Sequence, residues 1–275
     1  MGILNVTPDS FADGGLHFDS DRACDAALRM VDDGADIIDV GGESTRPGAA
    51  PLPEDEELRR VIPVVERLAL RVTVPISIDT YKARVARQAV AAGASMVNDV
   101  SGLQYDPELG HAVAETGAAV VLMHTRGRST GMYELAQYED VAAEVTAELR
   151  EAMARAQSAG IPRDAIVLDP GLGFAKRAEH SARVLARLDA LHVLERPILS
   201  GPSRKSFLKA ALGERSASER EWGTAAAVAA SILLGAHIVR VHGVKEMVDV
   251  ARVADLIRSA AGRGLAISSE ERGGY

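Results

Sequence analysis

The first fifteen residues, MGILNVTPDSFADGG (Met1 to Gly15), place a short apolar run directly ahead of a polar loop. The run Gly2 to Val6 is too short for an amphipathic helix and is followed by turn-forming residues, so it is predicted to be a buried strand. Asn5 and the loop after it then stand at the carboxyl end of this strand.

The same order, an apolar run followed by polar residues, recurs seven more times along the chain. The later runs finish in GGESTRPGA (Gly41 to Ala49), Asp79 with Thr80, Asn98 with Asp99, His124, Asp169 with PGLGF, GPSRKS (Gly201 to Ser206) and His242. Helical patterns fill the segments between the runs. The first helix is predicted to be capped by Ser20 or Asp21 and to run to Gly34. A later helix is predicted over about Glu179 to Leu191.

Eight such units in 275 residues give about 34 residues per unit, enough for one strand, one helix and two loops. Strands that alternate with helices pair in parallel, and eight of them favour a closed barrel. We therefore predict a single-domain α/β protein, a (β/α)8 TIM barrel over residues 1–263. The remaining residues, 264–275, are predicted to form a frayed tail.

Composition narrows the class of protein. A hydrophobic content of 47% and a charged content of 25% are typical of a soluble globular chain. The single cysteine, Cys24, cannot form an internal disulfide, and no amino-terminal export pattern is seen, so a cytoplasmic location is predicted. The longest apolar stretch, Thr224 to Ala236, is too short to span a bilayer. A net charge of −8 argues against nucleic-acid binding, so the partners expected are small molecules.

In a barrel, the polar strand ends converge on one rim. One half of this rim carries carboxylates and an amide (Asp79, Asn98 and Asp169), and the other carries basic groups (Arg204, Lys205, Arg240 and His242). The first set suits a flat heterocycle with an amino-pyrimidinone edge, and the second suits phosphate. Each residue also has a plainer interpretation. Asp79 or Asp169 could pair internally with Lys205, and Arg204 could be solvated.

Three further signals concern single residues. Arg240 alternates with Val239 and Val241, so it is predicted to face the opposite side of the last strand. His124 could be a base or a hydrogen-bonded core histidine, and the second interpretation is favoured. Asn5, with the nearby Asp9, offers oxygen ligands that could help to hold Mg²⁺ beside a substrate diphosphate.

Taken together, six motifs resemble the dihydropteroate synthase family. They are NVTPDSF (Asn5 to Phe11), GGESTRPGA, SIDT (Ser77 to Thr80), VNDVSG (Val97 to Gly102), LDPGLGF (Leu168 to Phe174) and GPSRKSFL (Gly201 to Leu208). The resemblance covers nearly the whole chain. It implies a TIM barrel that condenses 6-hydroxymethyl-7,8-dihydropterin diphosphate with 4-aminobenzoate, in the presence of Mg²⁺, to give 7,8-dihydropteroate and diphosphate. It also implies a homodimer and a sulfonamide target.

The same resemblance assigns roles to residues of this chain by their motif positions. The pterin pocket is matched by Asp79, Asn98, Asp169 and Lys205, with Val100, Met123 and Phe174 as apolar walls. The diphosphate and its metal are matched by Asn5, Arg240 and His242. The aminobenzoate loops are matched by Thr7, Pro8, Phe11, Thr45, Arg46, Pro47 and Ser203. The residues expected to carry the catalysis are Asp79, Asp169, Lys205, Arg240 and His242, with Asn5 as the metal ligand.

The chain departs from the family pattern in three places. Ala12 replaces a serine, Gly243 stands where an aspartate is common, and the chain begins almost at its first strand. Two alternatives therefore stay open, a non-catalytic pterin-binding paralogue and a pterin-dependent methyltransferase. A methyltransferase would have little use for GGESTRPGA, Lys205 or a diphosphate site. The almost wholly apolar segment Thr224 to Leu234 is predicted to form the homodimer contact.

Overall fold

The computed structural model describes residues 1–7, 16–44, 49–128 and 131–262. Within them, eight strands alternate with helices. The strands are β1 (Gly2–Asn5), β2 (Ile38–Gly41), β3 (Ile76–Asp79), β4 (Met96–Asp99), β5 (Ala119–Met123), β6 (Ile166–Asp169), β7 (Leu199–Ser200) and β8 (Ile238–Val239). The helices are α1 (Leu16–Asp32), α2 (Glu54–Ala69), α3 (Ala83–Ala91), α4 (Leu109–Thr116), α5 (Val141–Ser158), α6 (Ala178–Ala186), α7 (Lys209–Leu212), α8 (Glu221–Leu233) and α9 (Val244–Ala260).

The strands close into a barrel. Strands β1 to β6 pair in sequence order and in parallel, and β7 pairs in parallel with β8. Two single bridges join these sheets, Leu168 with Ile198 and Gly2 with Val241. At the second bridge the Ile3 amide donates to the Val241 carbonyl over 2.9 Å. The predicted (β/α)8 barrel is therefore confirmed.

Two apolar layers hold the barrel together. The larger lies between the strands and the surrounding helices, and Ile38 and Val40 of β2 belong to it. The smaller fills the amino-terminal part of the barrel interior with Met1, Val121, Val167 and Leu199. Because side chains alternate along a strand, the residues between the outer-layer positions must point into the barrel.

Each helix covers the barrel with one face. In α2 the buried residues Leu58, Val61, Val65 and Leu68 recur every three or four positions, as an amphipathic helix requires. Helix α5 begins at a side-chain cap, since Asp140 accepts hydrogen bonds from the two amides that follow Val141. In the described parts of the chain, no helix has the length and apolarity needed to cross a membrane.

Two helix predictions were wrong in their bounds. Helix α1 begins at Leu16, so Ser20 and Asp21 lie inside it; the preference for a capping residue is worth only about 1 kcal/mol and does not fix a helix start. The helix expected over residues 179–191 ends at Ala186 and is followed by a 3₁₀ segment, Leu188–Leu194. Its three buried leucines are three residues apart, which is the 3₁₀ repeat. The predicted tail falls outside the described residues, so the domain limits stay a prediction.

Candidate active site

The carboxyl-terminal half of the barrel interior is polar. Asp39 lies between two outer-layer residues of β2 and therefore points inward, where it is fully buried. The same alternation turns Asp79, Asn98 and Asp169 inward, and these three are also buried. Arg240, between the outer-layer residues Val239 and Val241, points inward as the sequence predicted.

These side chains form one hydrogen-bonded network centred on Asp39. Its Oδ2 accepts a hydrogen bond of 2.6 Å from Arg240 Nε and one of 3.0 Å from Asn98 Nδ2. Arg240 Nη2 also donates to Asp79 Oδ2 over 2.7 Å. Asp79 is thus paired with Arg240. One guanidinium joins two carboxylates across the barrel.

Burial sets the electrostatics of this network. It raises the pKa of Asp79 to about 7, an effect that the nearby Arg240 charge opposes and Asp39 reinforces. Burial alone would lower the pKa of Arg240, but the two carboxylates raise it above its ordinary value. Asp39 Oδ1 and Asp79 Oδ1 are buried and accept no hydrogen bond from the described residues. Buried acceptors of this kind are costly unless a donor reaches them, so the interior suits a ligand that brings N–H groups.

The loop after β6 forms the next part of the site. Asp169 accepts a hydrogen bond of 2.7 Å from the Gly171 amide, and burial nonetheless raises the pKa of this carboxyl. Phe174 lies on the same loop, with the Lys205 Nζ 4.0 Å from the centroid of its ring. Met123 is paired in register with Asp169, and both are buried. A carboxylate, a cation and an aromatic face therefore stand at one edge of the barrel.

Val100 follows the last residue of β4 and is 9% exposed. It lies at the carboxyl end of the barrel, as its predicted place in a pocket wall requires.

The basic half of the rim has a second cluster. The Oγ of the buried Ser203 lies 2.9 Å from His242 Nδ1 and also accepts the His242 amide over 3.2 Å. Arg204, by contrast, adopts a left-handed φ of 57° and donates through Nε to Glu221 Oε2 on α8 over 2.8 Å. It is therefore directed to the helix and does not join this cluster. Ser203 was predicted for the aminobenzoate loops but lies against the histidine.

The first strand contributes Asn5, its last residue, which pairs in register with Gly41 and is partly buried, and then Thr7 in the loop that follows. The other residues predicted for aminobenzoate lie outside the described residues, namely Pro8, Phe11, Thr45, Arg46 and Pro47. Among the residues that the structure describes, no three acidic, histidine or cysteine side chains gather as a metal cluster.

The two stems of the GGESTRPGA loop are tied together by Lys82. Its Nζ donates to Glu43 Oε2 over 2.6 Å, to the Leu52 carbonyl over 2.7 Å and to the buried Glu57. Tyr81 adds a hydrogen bond of 2.9 Å to the second oxygen of Glu43. The segment that leaves β2 and the segment that leads into α2 are thus held together by one side chain.

His124 is buried and hydrogen-bonded on both ring nitrogens. Nε2 lies 3.0 Å from Glu148 Oε2, and Nδ1 lies 2.7 Å from the Nζ of Lys176. The prediction of a satisfied core histidine is confirmed.

Sequence reasoning missed two residues of this region. Asp39 stands inside the apolar run that precedes GGESTRPGA and is not among the predicted site residues. A carboxylate inside a buried strand is tolerated only with a partner, and it could have been singled out for that reason. Lys176 stands two residues after GLGF and is not among the residues singled out in the sequence, yet it is fully buried. Its local sequence carries no signal of that burial, because the lysine is enclosed by the fold of the loop.

Comparison with known proteins agrees with this geometry. The sequence profile of the family described as "Pterin binding enzyme" matches residues 1–242. The dihydropteroate synthase of Escherichia coli K12 is 48% identical over 260 residues, which cover 94% of this chain and 92% of the relative. That of Synechocystis is 46% identical over 257 residues, covering 94% and 89% of the two chains.

Solved structures agree in fold as well. The Yersinia pestis dihydropteroate synthase in complex with a sulfonamide drug superposes with a TM-score of 0.89 at 44% identity, covering 94% of both chains. The Xanthomonas albilineans dihydropteroate synthase with 4-aminobenzoic acid gives a TM-score of 0.88 at 44% identity, covering 94% of this chain and 92% of the other. Since the profile and both relatives span most of the chain, the protein belongs to the family of pterin-binding enzymes.

Proposed function

We propose that this protein is a dihydropteroate synthase, which joins 6-hydroxymethyl-7,8-dihydropterin diphosphate to 4-aminobenzoate and releases diphosphate. The observation that carries the proposal is the buried network of Asp39, Asp79, Asn98 and Arg240 inside the barrel. The relatives with this fold bear the name dihydropteroate synthase, and one Xanthomonas structure holds 7,8-dihydropteroate.

The pterin ring is proposed to enter the polar interior with its amino-pyrimidinone edge first. Asp79 Oδ1, which accepts no hydrogen bond from any residue that the structure describes, would accept a ring N–H, and Asn98 offers both a donor and an acceptor. Asp169 would accept a second ring donor at the opposite edge. Lys205 and Phe174, already in cation–π contact, would cover one face of the ring.

Burial of these carboxylates gives the pocket its chemistry. A carboxylate that accepts an N–H in a site without water interacts strongly, and it favours positive charge that develops on the ring. This is the charge that appears as the bond from the pterin methylene to the diphosphate oxygen breaks.

The diphosphate is proposed to lie over His242 and Arg240. Because Ser203 Oγ already accepts the His242 amide, its hydroxyl hydrogen can go to Nδ1, which leaves the Nε2 hydrogen as the donor of the ring. The guanidinium of Arg240 uses Nε and Nη2 for the two carboxylates, so its Nη1 is the nitrogen we assign to the anion.

Mg²⁺ is proposed to arrive with the diphosphate. The described residues contain no cluster of acidic and histidine side chains, and the predicted ligand Asn5 offers one neutral oxygen. This donor set fits a cation that is held mainly by substrate oxygens and water, which is how Mg²⁺ commonly binds. When bound, the metal would stabilise negative charge on the leaving group.

In the proposed reaction the amine lone pair of 4-aminobenzoate forms a C–N bond at the pterin methylene. The C–O bond breaks, diphosphate leaves with the electron pair, and the amine loses a proton. The side chains act by binding, orientation and charge stabilisation. Loss of one such preorganised contact is expected to cost about 3 kcal/mol, or about a hundredfold in rate.

The direct test is release of diphosphate when the protein is mixed with both substrates and Mg²⁺, with a control that lacks 4-aminobenzoate. Asp169→Asn and Lys205→Ala should lose pterin affinity by calorimetry. Absence of turnover would overturn the proposed activity and favour the non-catalytic pterin-binding alternative. Formation of a methylated product in place of diphosphate would favour a methyltransferase.

A homodimer is proposed from exposed apolar side chains on the last two helices. In α8 the buried face packs on the barrel, while Trp222 is 88% exposed. Val253, Leu256 and Ile257 on α9 are exposed as well, and α8 packs against α9. A monomer at micromolar concentration in sedimentation would refute this assembly. A cytoplasmic location is proposed with it, because Cys24 is a buried free thiol.

A further inference from the structure

Lys176 is a fully buried lysine beneath the loop that follows β6. Its Nζ lies 2.7 Å from His124 Nδ1, 3.0 Å from the Phe174 carbonyl oxygen and 3.2 Å from the Gly171 carbonyl oxygen. Burial lowers the pKa of this lysine to about 7. Its charged form has three hydrogens to donate, which these three acceptors match, and the His124 carbonyl oxygen lies further away, at 3.5 Å. A buried charge persists only when it is satisfied in this way. The lysine therefore fixes two carbonyl groups of one loop relative to the end of β5.

Other side chains hold this lysine in place through His124. Because the ionised Glu148 carboxylate only accepts, the His124 ring hydrogen is on Nε2 and is donated to Glu148 Oε2 over 3.0 Å, which leaves Nδ1 to accept from Lys176. Burial, and then the charge of Lys176, lowers the pKa of His124 to about 4, so the ring is neutral at pH 7. Glu148 is held in turn by Arg126 Nε over 3.0 Å.

The chain of contacts returns to the loop from its other side. The guanidinium carbon of Arg126 lies 4.0 Å from the centroid of the Tyr138 ring, and the Tyr138 hydroxyl donates to the Ala175 carbonyl over 2.9 Å. The loop is thus held from beneath by Lys176 and from the side by Tyr138. We refer to the set Lys176, His124, Glu148, Arg126 and Tyr138 as the loop scaffold.

The loop needs such support because its backbone is unusual. Gly171, Gly173 and Ala175 have positive φ angles of 66°, 81° and 48°, and a left-handed residue with a Cβ costs about 1–2 kcal/mol. A Cβ added at Gly171 would clash with the carbonyl oxygen of His124, so the loop packs directly on the end of β5. A small loss of support should therefore shift the loop as a whole.

We propose that Lys176 is a positioning residue for the pterin subsite, which sets the backbone between Gly171 and Phe174 and thereby the orientation of Asp169 and the Phe174 ring. The inference rests on the proposed function, because it concerns the binding of the pterin diphosphate. The lysine does not touch the substrate. It acts through the three acceptors that it holds, and the loop scaffold keeps its ammonium in place.

The test uses Lys176→Met, which keeps the length of the side chain and removes its donors. Binding of the pterin diphosphate is measured by calorimetry without 4-aminobenzoate, and KM for 4-aminobenzoate is measured at saturating pterin diphosphate. We expect the pterin Kd to rise about tenfold or more, since small displacements of positioned groups are costly, and KM for 4-aminobenzoate to stay within about twofold.

Two further variants separate positioning from stability. Arg258→Met is the matched control, because Arg258 on α9 also donates to two carbonyl groups, those of Ile232 and Ala236, at the opposite end of the barrel. It should lower the melting temperature and leave the pterin Kd unchanged. Tyr138→Phe removes one hydrogen bond to the loop without burying a new charge, and it should raise the pterin Kd by a smaller factor than Lys176→Met.

The outcomes are distinct. A wild-type pterin Kd in Lys176→Met and Tyr138→Phe overturns the inference and leaves the proposed function intact. In a second outcome, the pterin Kd and the KM for 4-aminobenzoate rise equally in Lys176→Met, and in Arg258→Met both also rise in proportion to the loss of melting temperature. That outcome shows a general structural role and also overturns the inference. If the unaltered protein itself fails to bind the pterin diphosphate, the proposed function falls and the inference falls with it.

Discussion

Replacing Asp39 by asparagine should destabilise the protein and weaken pterin binding together. Asp39 Oδ2 is the shared acceptor of Arg240 Nε at 2.6 Å and of Asn98 Nδ2 at 3.0 Å, in a fully buried position. Removing one partner of a buried ion pair costs about 3–5 kcal/mol. Because Arg240 keeps Asp79 at 2.7 Å, we expect the lower end of that range, about 3 kcal/mol.

For a chain of this size each kcal/mol lowers the melting temperature by about 2–4 °C, so Asp39→Asn should melt about 6 °C or more below the unaltered protein. Calorimetric titration should also show a pterin Kd raised by about tenfold or more, since Asn98 and Asp79 lose the group that orients them. Asp36→Asn is the control, because Asp36 lies just before the same strand and is exposed. A melting temperature for Asp39→Asn within about 1 °C of that control would refute the reasoning.

Three other predictions concern pH and backbone geometry. His124 has a folded pKa of about 4 and an ordinary unfolded pKa of about 6.5, so between these values only the unfolded chain binds the proton. The free energy of unfolding of the protein should therefore fall by up to about 3 kcal/mol as the pH falls from about 6.5 to about 4. In His124→Asn this fall should be smaller, as measured by urea unfolding at each pH. Gly171→Ala should lower the free energy of unfolding by about 3 kcal/mol or more in the same assay. Gly117→Ala is the control, because Gly117 has a similar φ of 69° but nothing within 4 Å of the added Cβ, and it should lose about 1 kcal/mol. Equal losses in the two variants would show that the clash with His124 does not matter. Gly243→Asp should lower stability, because its Cβ would lie 2.5 Å from Glu221 Oε1, and adding Glu221→Ala, which removes that oxygen, should restore part of the loss; a single variant as stable as the original chain would contradict this account.

The barrel and much of its polar rim could be predicted from the sequence, because the pattern of an apolar run followed by polar residues is local to each unit. Each apolar run marks one strand. Asp79 and Asp169 are the last residues of their strands, and Asn98 is the next to last residue of its strand. Barrel closure then brings them together without further information. The inward direction of Arg240 was predictable for the same reason, since strand alternation is a local property.

The sequence did not predict which side chains of the site pair with one another. The pairing of Arg240 with Asp39 and Asp79 depends on how strands far apart in sequence meet inside the barrel. The burial of Lys176 depends on a loop whose shape is set by two left-handed glycines and by the strand beneath it. The predicted start of α1 was wrong, because the preference for a capping residue is too weak to decide where a helix begins.

Asp39 Oδ1 and Asp79 Oδ1, which accept no hydrogen bond within the described part of the chain, imply a conflict between ligand binding and stability of the fold. Replacing one carboxylate would leave Arg240 short of a partner, but replacing Asp39, Asp79 and Arg240 together by apolar residues of similar size would remove all the desolvated charges. Such a variant should lose ligand binding and still be more heat-resistant than the natural chain. Selection for thermal stability alone would then tend to erase this pocket. The apolar floor formed by Met1, Val121, Val167 and Leu199 carries no such conflict, and it is the safer place to seek stabilising substitutions.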